Sequence, residues 1–339
     1  MEVSAIPSEA GLAEPRNETI DIFRLFAAAS VVFIHAVQSS QLGDLRNLVR
    51  FAVPFYLFAS FYFQSLSLRR NADRTLKQYI LGRFKRLYLP FLAWSAIYLI
   101  VRDVERVEIW HLSPVELTPA LLWKGSEYHL WFLPFLLAGS AILATINMKV
   151  LQPNRSWRWP LIVTAVAAGL AMTQIPMPSE WYEAFDNPSF AYVWWWRGLP
   201  SACWAMAFAW FMTMGPIVHS VSPALGSAGF ILAVACSIQQ ALFGIQQIPR
   251  ALSGFGCILA ALPSWRIAKL STLAKLGRYG YGVYLCHVLP VETLHAVLGR
   301  MHITASVGTD LLGFFISFAA SIAIVRTLAL SPRLAWLNG

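Results

Sequence analysis

Long apolar runs, separated by short polar, basic or aromatic stretches, recur along all 339 residues. A run near twenty residues is what crosses a hydrocarbon core of roughly 30 Å. In lipid the backbone must satisfy its own hydrogen bonds, so each such run is read as a helix. The pattern predicts an all-α integral membrane protein of about ten transmembrane helices, at residues 20–40, 50–68, 87–101, 129–146, 160–175, 192–214, 226–242, 251–264, 279–298 and 309–330. The seventh run is interrupted by Gln239 and Gln240, and the eighth is short. No internal repeat is visible.

Composition agrees with the pattern. Hydrophobic residues make up 57% of the chain and charged residues 13%, about half the charged share of a soluble protein. The net charge of +9 would suggest nucleic acid in a soluble chain, but here it follows the topology and no nucleic-acid partner is expected. With the N-terminus placed in the cytoplasm, the cytoplasmic segments hold 16 Lys and Arg and the opposite loops hold seven, the asymmetry of the positive-inside rule. Residues 1–19 then form a cytoplasmic tail, 20–330 the membrane domain, and 331–339 a cytoplasmic C-terminal tail. Residues 1–19 carry Glu2, Glu9, Glu14 and Glu18 against the single Arg16, so they lack the basic start of a cleavable signal peptide. The four cysteines, Cys203, Cys236, Cys257 and Cys286, all fall in apolar runs without paired spacing. They are read as buried small hydrophobes, and no metal site is expected. His111, His219 and His302 fall in loops.

Ionisable groups at bilayer depth are costly and mark candidate sites. The first run holds Asp21, Arg24 and His35. Arg24 and His35 are eleven residues apart, close to three helical turns, so they share a face about 16 Å apart along the axis. Asp21 is an i,i+3 neighbour of Arg24, placed to hold its guanidinium. A snorkelling pair at a helix end is the other reading of Asp21 and Arg24, and a structural hydrogen-bonded imidazole is the other reading of His35. Arg83 and Arg86, in Gly82-Arg83-Phe84-Lys85-Arg86, are spaced to bind phosphate bidentately or to anchor the chain at the membrane surface. His129 and Trp131 open the fourth run, and Tyr281 and His287 the ninth. Glu292 and His295 read as a packed polar pair. Trp194, Trp195 and Trp196 read as interfacial anchors.

Four of these segments, taken together, resemble the acyltransferase 3 family of multi-pass membrane acyltransferases. They are Asp21…Arg24-x10-His35 with the Phe-rich run 53–61 behind it, Arg83-x-x-Arg86 followed by Tyr88 and Pro90, His129-Leu130-Trp131-Phe132-Leu133, and Tyr281-Gly282-Val283-Tyr284-Leu285-Cys286-His287. They occur in the family's order across most of the chain, while residues 147–260 carry little signal. Ala59 and Phe61 depart from the family's usual Ser-Gly pair. The resemblance implies a ten-helix core and acyl-coenzyme A taken from the cytoplasm as a donor substrate, with no bound cofactor. It implies a hydroxyl acceptor on an extracytoplasmic or lipid-linked carbohydrate, and a location in the plasma or inner membrane. It points to His35 and Arg24 as the catalytic pair, with Asp21 beside them, and to Arg83 and Arg86 as donor contacts. His129, Trp131, Tyr281 and His287 would line the pocket. With nine residues after the tenth run, acceptor selectivity is expected from the short outer loops and the pocket.

The chemistry suits these residue types. An imidazole, titrating near about 6.5, can take a hydroxyl proton as a general base. Guanidinium groups match the donor's phosphates. His287 is the second candidate for the base, and a covalent acyl-histidine stays open. A transporter or flippase for an anionic or glycan substrate is the alternative class, since buried His and Arg also line transport paths. The absence of a doubled span pattern speaks against it.

Overall fold

The computed structural model describes residues 17–104, 117–152, 154–181, 189–215, 221–263, 265 and 271–339. Most of the 1–19 tail, His111 and His219 lie outside them. The described residues contain helices and no strands. In chain order the helices are α1 (Glu18–Ala36), α2 (Leu45–Leu48), α3 (Ala52–Arg70), α4 (Leu76–Val104), α5 (Leu121–Lys124), α6 (Phe132–Ile146) and α7 (Arg158–Gln174). They continue with α8 (Phe190–Met212), α9 (Pro223–Phe243), α10 (Gln247–Ala261), α11 (Ser271–Gly277), α12 (Gly280–Cys286), α13 (Val288–Arg300) and α14 (Val307–Leu330).

Six stretches are long and apolar enough to cross a membrane: α1, Ser40–Arg70, α4, Phe132–Leu151, α9 and α14. A seventh is counted when α12 and α13, bent by 44° at their junction, are taken as one span. The protein is therefore multi-pass. The other three runs of the predicted ten are also helical, but for physical reasons they fall outside this set. Helix α7 has 17 residues and α10 has 15, short of the roughly 20 that span a bilayer. Helix α8 has 23 residues, but its five tryptophans, Arg197 and Pro200 lower its mean hydropathy. Two boundaries also move. The helix predicted at 87 starts at Leu76, so Arg83 and Arg86 are helical and do not sit in a loop. Helix α9 runs unbroken through Gln239 and Gln240. Gln240 is fully buried, and its amide turns back to the Cys236 carbonyl at 3.4 Å.

Local signals set the helix starts. The Asn17 side chain accepts from the Thr19 and Ile20 amides at 3.0 and 3.3 Å, and its own amide donates to Leu262 O at 2.9 Å. This N-cap therefore starts α1 and ties it to the end of α10. Ser306 and Thr309 form a capping box on α14.

The Phe-rich α3 is the central helix, packed against α1, α6, α8 and α10. Phe55, Phe58 and Phe61 are fully buried. The fold accommodates Phe61 through Gly139 of α6. A Cβ at Gly139 would lie 2.7 Å from the Phe61 ring. The residues after α14 are not a loose tail. Leu337 O accepts from the Trp94 indole at 3.0 Å, and the Asn338 amide donates to Val325 O at 3.0 Å. The four cysteines are free, and three are buried.

Candidate active site

Two cavities lie at opposite ends of α1 and share one wall residue, Tyr284. The larger, about 630 Å³, is lined by Arg24, Arg74, Arg83, Arg86 and Arg278, with Tyr56, Gln64 and Tyr281 among them. Five guanidinium groups thus converge from α1, α4, the turn before α4 and the turn after α11. On the helical face of α4, Arg83 and Arg86 turn toward the cavity, whereas the third cation, Lys85, is exposed and does not line it. Arg83 is held by a bond to the Ser140 hydroxyl at 3.1 Å, and its Nε has no partner.

Arg24 enters the same cavity under restraint. Its Nη1 is 3.1 Å from Asp21 Oδ1, the i,i+3 pair predicted from spacing. Asp21 is 2% exposed. Its backbone lies so close to Gly277 of α11 that a Cβ there would collide with the Asp21 carbonyl. The Tyr56 hydroxyl donates to Arg24 O at 3.0 Å, and the Arg24 guanidinium sits 5.5 Å from the centre of the Phe63 ring. This is an oriented cation and not a freely snorkelling one.

The smaller cavity, about 180 Å³, opens at the other end of α1 and is lined by His35, Arg50, Tyr128, His129, Trp131, Trp194 and Arg250. His35 occupies the last turn of α1, because the helix ends at Ala36 and not at residue 40 as predicted. Three histidines meet here. The His35 ring is 5.3 Å from that of His287, and the His287 ring is 4.8 Å from that of His129. Tyr128 covers His35 at 4.8 Å, and Glu292 bonds the Tyr128 hydroxyl. His295 reaches Ala36 O at 3.2 Å. Glu292 and His295 therefore each have a partner beyond the pair predicted for them. Trp194 stacks on Trp131 at 5.9 Å, and the Trp195 indole donates to Trp131 O at 3.2 Å. Trp131 and Trp194 thus wall the cavity, with Trp195 bonded behind them.

Protonation follows from hydrogen-bond chemistry. His287 Nδ1 lies 2.8 Å from the Tyr284 carbonyl. A carbonyl only accepts, so Nδ1 carries the proton and Nε2 of the neutral ring is a bare acceptor. By the same argument His129 Nε2 donates to Leu285 O at 3.4 Å, leaving Nδ1 bare. Neither bare nitrogen has a hydrogen-bond partner. Both are buried lone pairs waiting for a donor, beside the cavity that His35 lines.

The bend that brings His287 here has two visible contributors: Pro290 has no amide to donate to Cys286 O, and Tyr98 occupies the rung before it. In a continuous helix the Leu289 amide would bond Leu285 O. Instead the Tyr98 hydroxyl donates to Leu285 O at 2.8 Å and accepts from the Leu289 amide. A side chain inserted into the ladder in this way kinks a helix. Replacing Tyr98 by Phe removes the insertion and strands two buried backbone groups, at a cost of about 1–3 kcal/mol each. Tyr98→Phe is expected to lower the melting midpoint in detergent, read by tryptophan fluorescence. A midpoint unchanged from wild type would remove Tyr98 from the kink.

All nine residues singled out from the sequence lie at these two cavities or against the residues that line them. Asp21, Arg24, Arg83, Arg86 and Tyr281 cluster at the arginine end, His35, His129 and Trp131 at the other, and His287 is buried against His35 and His129. The sequence reading missed Arg74 and Arg278, counted only as topology charges, and Arg50 and Arg250, counted as outer-loop cations. It also missed Tyr98 and did not single out Tyr284. Tyr284 could have been found from its i,i+3 spacing to both Tyr281 and His287.

An acyltransferase-domain family profile matches residues 17–326. A serine/alanine racemase of Enterococcus gallinarum is 29% identical over 148 residues, which are 42% of this chain and 21% of that protein. An amino-acid racemase of Enterococcus faecalis is 26% identical over 144 residues, 40% of this chain and 20% of that protein. The match thus spans about a fifth of the length of these curated relatives. No solved structure matches.

Proposed function

Since the chain belongs to this family of acyltransferases, matched over residues 17–326, we propose that it moves a short acyl group from acyl-coenzyme A to a hydroxyl of a carbohydrate. The acyl group is acetyl or succinyl, and the acceptor is extracytoplasmic or lipid-linked, such as a polysaccharide at the plasma or inner membrane. The observation that carries the reading is the pairing of a five-arginine cavity with a three-histidine cluster across the single residue Tyr284.

In this reading the nucleotide end of the donor, with its several phosphate charges, occupies the arginine cavity at the cytoplasmic side. Arg83 and Arg86 hold phosphate, and Arg24, fixed by Asp21, orients the arm. The pantetheine extends past Tyr284 toward His35. Arg24 is about 16 Å from His35 along α1, beyond hydrogen-bond reach of a carbonyl held there. Its part is therefore to place the donor, not to stabilise the oxyanion. His35 takes the acceptor's hydroxyl proton, and the oxygen bonds to the thioester carbonyl carbon. The tetrahedral intermediate collapses with cleavage of the C–S bond, and the imidazole returns its proton to the departing thiolate. His35 ranks ahead of His287 as the base because His35 lines a cavity, whereas His287 is fully buried. The racemase activity named for the two relatives is not carried over, because the aligned fifth of each does not identify which part performs it.

The test is release of coenzyme A from labelled acetyl- and succinyl-coenzyme A by the purified protein in detergent. Slow release by wild type is expected. Neither binding nor release of any acyl donor would overturn the transferase reading in favour of transport.

A further inference from the structure

The small cavity holds positive charge that the mechanism does not use. Arg250, in the first turns of α10, is 8% exposed and lines the cavity with Arg50. Its Nε has no hydrogen-bond partner. Among the described residues, the charged groups that act on it are Arg50 and Arg197, which are both cations. Arginine stays protonated in proteins, so Arg250 is a permanent buried charge with like charges for neighbours. Such a group is retained at a cost unless an anion joins it. The Trp194 indole Nε1, on the same cavity wall, is a second buried donor without a partner. Water would satisfy the indole but would not balance the guanidinium.

From this we infer that the cavity beside His35 binds a carboxylate, held by Arg250 and Arg50 with Trp194 as a further donor. Arginine's planar fork matches a carboxylate bidentately. The volume of about 180 Å³ lies below the roughly 300–1,000 Å³ of drug-sized sites, so the occupant is one sugar ring or a smaller unit. With the transferase reading taken as given, the carboxylate has two sources. It belongs to the acceptor, as in a uronic acid, or to the far end of a dicarboxylic acyl group such as succinyl. In either case the reacting hydroxyl or thioester is oriented by an anion clamped next to the base.

The probe is D-glucuronate compared with D-glucose, read by the fluorescence of Trp131 and Trp194 in the full-length protein. Glucuronate is expected to give a saturable change that glucose does not give. Arg250→Met is expected to weaken it at least tenfold, and Arg250→Lys to retain part of it. Equal responses to the two sugars or an unchanged response in Arg250→Met would each overturn the inference, as would no response to glucuronate joined with no succinyl-over-acetyl preference. Arg250→Met removes an unbalanced buried charge, so its melting midpoint is not expected to fall. If it nevertheless fails to fold, the contrast between the sugars and Arg250→Lys still decide. Coenzyme A release separates the sources. Stimulation of acetyl transfer by glucuronate but not glucose assigns the carboxylate to the acceptor. A succinyl-over-acetyl preference of tenfold or more, lost in Arg250→Met, assigns it to the acyl group. Glucuronate binding that depends on Arg250, without release from any donor, supports the anion site and overturns the transferase reading alone.

Discussion

Replacing His35 with alanine is expected to lower kcat for acyl transfer by about 10²–10⁴-fold, the usual contribution of a positioned general base, with little change in donor KM. The separation of the two cavities makes this split sharp. Donor phosphates are proposed to bind among arginines about three helical turns away, so truncating an imidazole at the other end of α1 leaves their contacts intact. The fold should also tolerate the change. His35 lines an existing cavity, so its removal enlarges a space already open to small molecules and creates no sealed void. Its ring neighbours, Tyr128 and His287, keep their other bonds, to Glu292 and to Tyr284 O. Added imidazole should enter the enlarged cavity and restore part of the rate. The measurement is single-turnover release of coenzyme A with and without imidazole, beside His287→Ala. A His35→Ala enzyme with wild-type kcat, paired with a silent His287→Ala, would remove the histidine cluster from the chemistry.

How much of this was legible in the sequence depends on the range of the interaction concerned. Local relationships were readable. The Asp21–Arg24 pair, the shared face of Arg24 and His35, and the apolar helices all follow from the 3.6-residue period and hydropathy. What one helix does to another was not. Arg50 and Arg250 are 200 positions apart and look like ordinary loop-proximal cations, yet they line one cavity. The kink at His287 owes one part to Pro290, which the sequence displays, and another to Tyr98, which belongs to a different helix and sits in an unremarkable apolar run. Arg24 and His35 were read as one donor path because they share a face. The fold gives each its own cavity, and Tyr284, the wall residue common to both, is what such a path must pass. Treating every apolar run as a span gave ten, and among the described residues six stretches, or seven with α12 and α13 taken as one, are long and apolar enough to cross. Length alone separates the 15-residue α10 from the 24-residue α14, and the sequence run at 251–264 was recognisably short. The C-terminal residues lacked a hydropathy signal because they are held by hydrogen bonds, Leu337 O accepting from the Trp94 indole and the Asn338 amide donating to Val325 O, which hydropathy does not report.

The second large effect concerns the arginine cavity, where Arg83→Ala with Arg86→Ala is expected to raise donor KM by about 10²-fold or more while kcat at saturation changes little. A hydrogen bond to a charged group contributes about 1.5–3 kcal/mol, and each 1.4 kcal/mol is tenfold in affinity. One lost guanidinium–phosphate contact is thus about ten- to a hundredfold. The two residues are not equivalent. Arg86 is exposed at the cavity rim, whereas Arg83 is half-buried and already bonded to Ser140. Arg83→Ala frees the Ser140 hydroxyl and takes a second, structural penalty, so its melting midpoint should fall further than that of Arg86→Ala. The anchor reading of these cations predicts the opposite balance. If they serve only to seat α4 at the membrane surface, the double variant loses assembly and keeps its donor affinity per folded molecule. Equilibrium binding of acyl-coenzyme A, normalised to the fraction that elutes as folded protein, separates the two. Salt supplies an independent check. Rim contacts at Arg86 are screened within a Debye length of roughly 8 Å at physiological ionic strength, and contacts deeper in the cavity much less. Wild-type affinity should therefore weaken with salt, and the Arg86→Ala protein should show the shallower dependence.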